Sequence, residues 1–321
     1  MPIVAACRPL PAEFEVPGAT VRWGPERGFA TPEELRGFVK GADAIVSWVS
    51  ERIDDPVLDA AGAHLKVVAN FAVGVDNIDL AACAKRRVIV TNTPDAVTEG
   101  TADMAWALML AAARRLSHGD RFARSGAWAK HGVLGPAEFL GQAIARRTLL
   151  IVGAGRIGYA TALRSVGWGM KVLYVARSPK PNFEFAPVNA RRVELEEGLP
   201  QADFISIHTP LTDETRHLIN ARRLALLKPT AILVNTSRGP VIDEAALARA
   251  LRDGRLFGAG LDVFEKEPAV HQDLIGLDNI VMAPHMGSAS VDSRRAMTEL
   301  CAANVRAVLS GRPALTPVIT G

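Results

Sequence analysis

Cysteine is scarce in this chain: there are three, Cys7, Cys83 and Cys301, scattered and odd in number. That excludes a disulfide framework, shows no metal-ligand spacing, and fits a reducing, cytoplasmic setting. No apolar run approaches the length a bilayer crossing needs, and no secretory leader pattern opens the chain, so no membrane partner is expected. The longest apolar stretch, Met104–Ala113, has helical periodicity and ends in Arg114-Arg115. Excess charge is missing as well. Lys and Arg number 37 against 34 Asp and Glu, and a net +3 is too small to suggest nucleic acid as a partner. Pairs such as Arg191-Arg192 and Arg222-Arg223 read as solvated faces. No internal repeat or low-complexity tract interrupts the 321 residues, which leave room for about two domains.

What is present is a glycine turn in the right place. Val152-Gly153-Ala154-Gly155-Arg156-Ile157-Gly158 follows the apolar run Leu149–Val152 and opens a helical pattern. That is the strand–turn–helix setting of a dinucleotide-binding fingerprint. Gly153 permits the tight turn, Gly155 lets the backbone approach a pyrophosphate, and Gly158 lets the helix pack on the strand. The helix start, at Arg156 and Ile157, offers free N–H groups and a positive dipole end. Five short apolar runs follow: Lys171–Val175, Phe204–His208, Ala231–Asn235, Gly258–Val263 and Ile280–Ala283. Continuous apolar runs read as buried parallel strands, and their alternation with helices predicts an α/β, doubly wound sheet of the Rossmann type. Asp243–Leu251 reads as one of the helices, with Asp243 as its N-cap.

Residues 1–95 carry a smaller α/β pattern. Thr31-Pro32-Glu33-Glu34 reads as a capping box, Asp55-Pro56 opens a second helix, and Ala44–Ser47, Leu65–Asn70 and Val88–Thr91 read as strands. This predicts a flavodoxin-like unit. Two long helices, from Thr98 to about Arg115 and from Ser290 to Leu309, read as hinges. The second follows the last strand and can return to the first unit. The expected division is therefore 1–97 with 288–321 as the substrate (catalytic) domain, and an inserted dinucleotide-binding domain over 98–287.

Three side chains suit reduction of a carbonyl next to a carboxylate. Arg238 stands just after an apolar strand, where ligands gather in open α/β sheets. Its fork suits a carboxylate and can polarise a carbonyl. His285 follows the run Ile280–Ala283 and a proline. With Glu267 as partner it can present a protonated imidazole to a substrate oxygen. Trp48 and Val49 end a parallel run and are read as a substrate-pocket wall, and Asp262 is read as an acceptor for a nicotinamide carboxamide. His64, His118, His131, His217 and His271 show no partner at useful spacing.

Six segments together resemble the D-isomer-specific 2-hydroxyacid dehydrogenase family, and within it the glyoxylate/hydroxypyruvate reductase branch. They are Asn70–Asp76, Thr91–Pro94, Val152–Gly158, Asn235–Gly239, Leu261–Pro268 and Pro284–Ser288. The resemblance implies that His285 is the acid/base and that Glu267, rather than Glu265, orients it. It also implies carboxylate binding by the backbone of Val73 and Gly74, and cofactor contacts at Thr101, His208, Thr209, Pro210, Thr236, Ser237, Gly287 and Ser288. The substrate would sit in a cleft between the domains, closed by hinge motion about Thr98 and Ser288. A homodimer is implied too, and the apolar segment holding Trp128, Leu134, Phe139 and Leu140 lies outside the main strand pattern. Where many glyoxylate reductases read Trp-Phe-Leu-Gly, this chain has Glu138-Phe139-Leu140-Gly141, which leaves room for a larger acid such as hydroxyphenylpyruvate. A dinucleotide-sensing, corepressor-like binding protein is the alternative from another class.

The cofactor is expected to be NADP(H), with NAD less favoured. An NAD enzyme usually ends the second strand with an acid that accepts from the ribose 2′-OH. Here Ala176 holds that place, and Arg177, Ser178 and Lys180 follow as candidate 2′-phosphate ligands. The expected activity is thus NADPH-dependent reduction of a small 2-oxo acid to the D-2-hydroxy acid.

Overall fold

Apolar runs without alternation need cover on both faces, and parallel sheets provide it. In the computed structural model, which describes residues 1–318, every strand ladder is parallel. The chain forms two compact units, one of Met1–Val97 with the segment from Ser288 onward, the other of Thr98–Gly287.

The first unit holds β1 (Ile3–Ala6), β2 (Thr20–Trp23), β3 (Ala44–Ser47), β4 (Val67–Asn70) and β5 (Ile89–Thr91), in the spatial order β2-β1-β3-β4-β5. That is the flavodoxin-like doubly wound order. Thr31 caps the helix Pro32–Val39 by accepting the Glu34 N–H at 3.2 Å. The Glu34 carboxylate reaches past the cap to the Ala30 N–H, a displaced form of the expected box. The helix Asp55–Ala61 is capped by Asp54 and ends at Gly62, whose φ is +99°. The helix Val291–Leu309 starts from the cap Ser290 and packs on β3 and β4. Beyond it, Asn304 fixes the Leu315 and Thr316 N–H groups, and Val318 donates to the Val90 carbonyl. β1 and β2 left little mark in the sequence. Each is four residues long, and β2 is an edge strand with no buried residue.

The second unit holds β6 (Thr148–Val152), β7 (Lys171–Val175), β8 (Arg191–Arg192), β9 (Phe204–Ile207), β10 (Ile232–Asn235), β11 (Gly258–Leu261) and β12 (Ile280–Met282). Their order, β8-β7-β6-β9-β10-β11-β12, is the dinucleotide-fold order with one added strand, and it reverses between β6 and β9. β6 explains its own apolar run. Leu149 and Ile151 face a cluster containing Trp106 and Met109, while Leu150 and Val152 face one containing Leu247 and Leu251. The register aligns Val152 with Val175 and Ile207, and Asn235 with Ile207 and Leu261. The strands therefore end level, and their following loops share one edge. Arg191-Arg192, expected as a solvated face, forms the edge strand β8, with Arg191 exposed and Arg192 half-buried.

The helix Thr98–Ala113 lies across β10, β11 and β12. Its Trp106 indole donates to the Thr161 carbonyl at 2.9 Å, tying it to the helix Arg156–Arg164. The three cysteines are buried and free, and no helix among the described residues is long and apolar enough to cross a membrane.

The helix Thr98–Ala113 comes so close to β11 that a Cβ on Gly260 would stand 2.7 Å from the Leu108 Cβ. Gly260→Ala is expected to cost about 1–3 kcal/mol, read as a lower urea midpoint. An unchanged midpoint would show that the helix shifts freely on the strand.

Candidate active site

A level parallel sheet delivers its strand-end loops to one side, so residues far apart in sequence become neighbours. In the second unit the turn after β6 and the helix start it leads into carry Gly153–Gly158, the loop after β7 carries Arg177, Ser178 and Lys180, and that after β9 carries His208-Thr209-Pro210. The loop after β10 carries Thr236, Ser237 and Arg238, that after β11 carries Asp262 and Glu267, and that after β12 carries His285 and Gly287. Thr101 joins them from the first turn of its helix. Trp48, Val49, Val73, Gly74 and Ser288 belong to the first unit.

The tightest contact is between His285 and Glu267. The imidazole Nδ1 lies 2.6 Å from Glu267 Oε2, and Glu267 Oε1 accepts the Phe264 N–H at 2.9 Å. Burial pushes the Glu267 carboxyl upward. The hydrogen bond and charge of His285, the Phe264 N–H and the charge of Arg238 outweigh burial and hold it below the usual carboxylate range. Arg238 therefore acts electrostatically on Glu267. Its loop is pressed against that of Glu267: a Cβ on its neighbour Gly239 would meet the Phe264 carbonyl carbon at 1.9 Å. Asn235 shapes the loop from below, accepting the Ser237 N–H and Oγ–H and donating to the Arg238 carbonyl at 2.9 Å.

Asp262 has a different place from the one expected. Its side chain is buried, and its two oxygens accept the Met286 N–H at 2.8 Å and the Gly287 N–H at 2.7 Å. Burial raises its pKa despite those bonds and the charge of His285. It holds the histidine loop and presents no exposed acceptor for a carboxamide. His285 itself sits at φ +53°, a left-handed conformation that costs a non-glycine residue about 1–2 kcal/mol and that this loop supports. At His208 the resemblance implies a cofactor contact through the backbone, with the side chain at most lining the site. The ring turns back to Ser206 Oγ at 2.9 Å, and burial pushes its pKa down to about 3, so the ring is neutral near pH 7 and only the backbone remains for a ligand. His217, expected to lack a partner, lies 3.3 Å from Glu265.

The glycine turn fits a dinucleotide. A Cβ on Gly153 would meet the backbone of His208 and Thr209 at 2.7–2.8 Å, and one on Gly158 would meet the Gly153 carbonyl oxygen at 2.3 Å. A Cβ on Gly155 would meet nothing within 4 Å, so open space lies over the N-terminus of the helix Arg156–Arg164. Along the same sheet edge the buried hydroxyls of Thr209 and Thr236 have no hydrogen-bond partner. The loop after β7 is braced from two sides. Arg192 donates to the Ala176 carbonyl at 2.9 Å and the Arg177 carbonyl at 3.2 Å, and the Tyr174 hydroxyl accepts the Lys180 N–H at 2.9 Å while donating to Glu184. Sequence reasoning missed Arg192, Asn235 and the role of Asp262. The only available signal was the position of Asn235 at the end of a strand.

In the first unit, Asn70 and Asn92 draw the carbonyls of Gly74 and Val73 inward at 2.7 and 2.8 Å. Among the described residues no acceptor takes the Val73 or Gly74 N–H. Elsewhere, Glu138 is folded onto its own turn. Its carboxylate accepts the Gly135 N–H and lies 3.0 Å from His131 Nε2, and first the Gly135 N–H, then His131, lower its pKa. Nearby Leu116, Trp128, Leu134 and Leu140 are exposed.

A glycine-turn Rossmann unit with an Arg, a Glu–His pair and a buried Asp along one edge defines a nicotinamide-dependent dehydrogenase. The chain belongs to the D-isomer specific 2-hydroxyacid dehydrogenase family, whose NAD binding domain matches residues 106–287. It is 53% identical over 280 residues to a glyoxylate reductase of Thermococcus onnurineus, covering 87% of this chain and 83% of that one. A crystal structure of a protein from Thermus thermophilus superposes with a TM-score of 0.90 at 43% identity, covering 99% of this chain and 100% of that one. An NADPH-dependent glyoxylate/hydroxypyruvate reductase of Sinorhizobium meliloti, solved with NADP and malonate, gives 0.82 at 33% identity, covering 99% and 96%.

Asp262→Asn would turn an amide NH₂ toward one of the two backbone N–H groups that the carboxylate now satisfies. A loss of about 1–3 kcal/mol in unfolding free energy is expected. Wild-type stability would mean that other contacts hold the histidine loop.

Proposed function

We propose that the protein reduces a small 2-oxo acid, such as glyoxylate or hydroxypyruvate, to the D-2-hydroxy acid with NADPH. The observation that carries this reading is the 2.6 Å His285–Glu267 pair, with the charge of Arg238 felt by Glu267. A bound nicotinamide dinucleotide supplies the hydride. Gly153, Gly155, the helix start at Arg156 and Ile157, Thr209 and Thr236 are the residues that would hold it. Arg238 binds the carboxylate and polarises the carbonyl. With Nδ1 committed to Glu267, His285 has Nε2 left to give a proton to the carbonyl oxygen. Glu267 keeps the ring in that tautomer and orientation. The first unit is read as the substrate domain, and its Val73 and Gly74 N–H groups are candidate donors to an anion. Glyoxylate reductases among the relatives support this substrate class. The exposed segment around Trp128, Leu134 and Leu140 supports a two-fold dimer.

Two kinetic expectations separate the roles. His285→Ala should lower kcat about 10²–10⁴-fold, as for a lost general acid, while Arg238→Ala should raise KM and lower kcat together. Near-wild-type turnover in purified His285→Ala removes the assignment. Cofactor binding without turnover of any 2-oxo acid by the wild type would favour a dinucleotide sensor instead.

NADPH rather than NADH is read from the loop after β7. Ala176 offers no acid to repel a 2′-phosphate, and Arg192 props the backbone from which Arg177 projects. The NADPH dependence of the Sinorhizobium meliloti relative points the same way. A charge-assisted contact of about 1.5–3 kcal/mol predicts at least a ~10-fold preference for NADPH in kcat/KM. Arg177→Ala should erase most of it and leave the NADH reaction nearly intact. Equal use of both cofactors by the wild type would overturn this reading.

A further inference from the structure

We infer that Glu244 is a positioning residue: through a two-way clasp with Glu265 it holds the loop of Glu267 in place against the loop of Arg238. This rests on the reading above of Arg238, Glu267 and His285 as the reacting set, and it adds a residue to that site. Neighbouring strands are aligned by their ladder, but the loops beyond the strand ends have none. After β10 and β11 other contacts must set where the loops lie. The backbone of Gly239, pressed on Phe264, sets how close they come. Two glutamates set how they align. The Glu244 N–H donates to Glu265 Oε1 at 2.8 Å, and the Glu265 N–H donates to Glu244 Oε1 at 2.7 Å. Each side chain thus crosses to the other's backbone. Glu244 opens the helix Glu244–Arg252, so its N–H has no acceptor within the helix. Arg238 lies on the turn that leads into this helix, and Glu267 stands just beyond Glu265.

A third loop closes on the same point. His217, after β9, donates its N–H to the Pro240 carbonyl at 2.8 Å and sets its Nε2 3.3 Å from Glu265 Oε2. It does so at φ +48°, a left-handed conformation that a non-glycine residue keeps only where its surroundings hold it. Within the clasp Glu244 is the deeper member, 3% exposed. Burial pushes its carboxyl up. The Glu265 N–H and the His271 ring pull it down, while the charges of Glu265 and Glu267 add to the rise. Starting the helix does not require this acid, because Asp243 already caps it by accepting the Ala246 N–H at 2.8 Å. Filling the space does not require it either, since an apolar side chain would do so without burying a charge among like charges. What the Glu244 carboxylate does is accept an N–H from the loop of Glu267. Glu267 in turn sets the ring of His285 at 2.6 Å, so a slide of that loop would misplace the proton donor. Asp262 accepts two N–H groups, but Glu244 Oε1 accepts one, so an amide oxygen can replace it.

The test measures glyoxylate reduction with NADPH, and hydrogen exchange at the Phe264 amide that Glu267 holds, in the purified full chain. The variants are Glu244→Ala, Glu265→Ala, both together, and Glu244→Gln. Each single alanine variant should lower kcat about 10–100-fold, the loss that a displacement near 1 Å brings. KM should stay within about threefold of wild type, because Arg238 keeps its own braces. The double variant should lose at most about threefold more than either single one, since both changes open the same clasp. Glu244→Gln should recover most of kcat. Phe264 exchange should quicken about tenfold in the alanine variants and little in Glu244→Gln. Additive losses, a loss carried by KM, wild-type kcat in the alanine variants, or Glu244→Gln as slow as Glu244→Ala overturns the inference. If Glu244→Ala does not fold, Glu265→Ala decides, because it opens the clasp from a side chain that is 24% exposed. Turnover lost in His285→Ala, with kcat and exchange unchanged in the clasp variants, removes the clasp and keeps the reacting set. Near-wild-type turnover in His285→Ala removes the reacting set, and Phe264 exchange then still reports whether the clasp holds the loop.

Discussion

The candidate active site depends on one buried carboxylate. Asp262 takes the N–H groups of Met286 and Gly287, and its backbone carbonyl takes that of His285. Without such anchoring a histidine at φ +53° would relax toward ordinary backbone and its ring would leave Glu267. The order of the acids matters. Asp262 is deep, and burial dominates its titration. Glu267 is shallower, and although burial is still its largest single influence, its partners together outweigh it. Two carboxylates on one strand-end loop thus divide the work, one holding the backbone and the other the ring.

A similar division recurs at the nucleotide end. Gly153 and Gly158 are small because backbone crowds them, whereas Gly155 borders open space. A turn built only for compactness would have filled that space. One strand further out, Arg192 directs its guanidinium to two carbonyls and so stiffens a loop whose outward side chains are basic. In the first unit asparagines do the equivalent work. Asn70 and Asn92 hold carbonyls inward, and Asn77 ties the Trp48 and Glu51 carbonyls at 3.0 Å each.

Much of this was legible in the sequence, for a physical reason. Parallel strands buried on both faces must be apolar throughout, so β6, β7, β9, β10 and β11 stand out, and short polar caps such as Asp243 and Ser290 mark where helices begin. Arg238 and His285 could be picked out because each follows a strand, and in a parallel sheet all strands end on one side, whereas the choice of Glu267 over Glu265 came from the family resemblance. The glycine turn identified the nucleotide end by the same logic.

Tertiary structure alone decided the rest. A side chain's hydrogen-bond partner depends on what the sheet order sets beside it, and sequence distance carries no trace of that order. Asp262 reaches Met286 and Gly287 because β11 and β12 are adjacent, and Arg192 reaches Ala176 because β8 lies beside β7. Both read in the sequence as ordinary polar residues near turns. The pairing of Arg294 with Trp48 joins a C-terminal helix to the end of β3 across most of the chain, and only the closing of the helix Val291–Leu309 onto β3 and β4 brings them together. Residue types, spacing and strand ends determined the kind of chemistry this chain can hold. Adjacency across the sheets determined which atoms hold it.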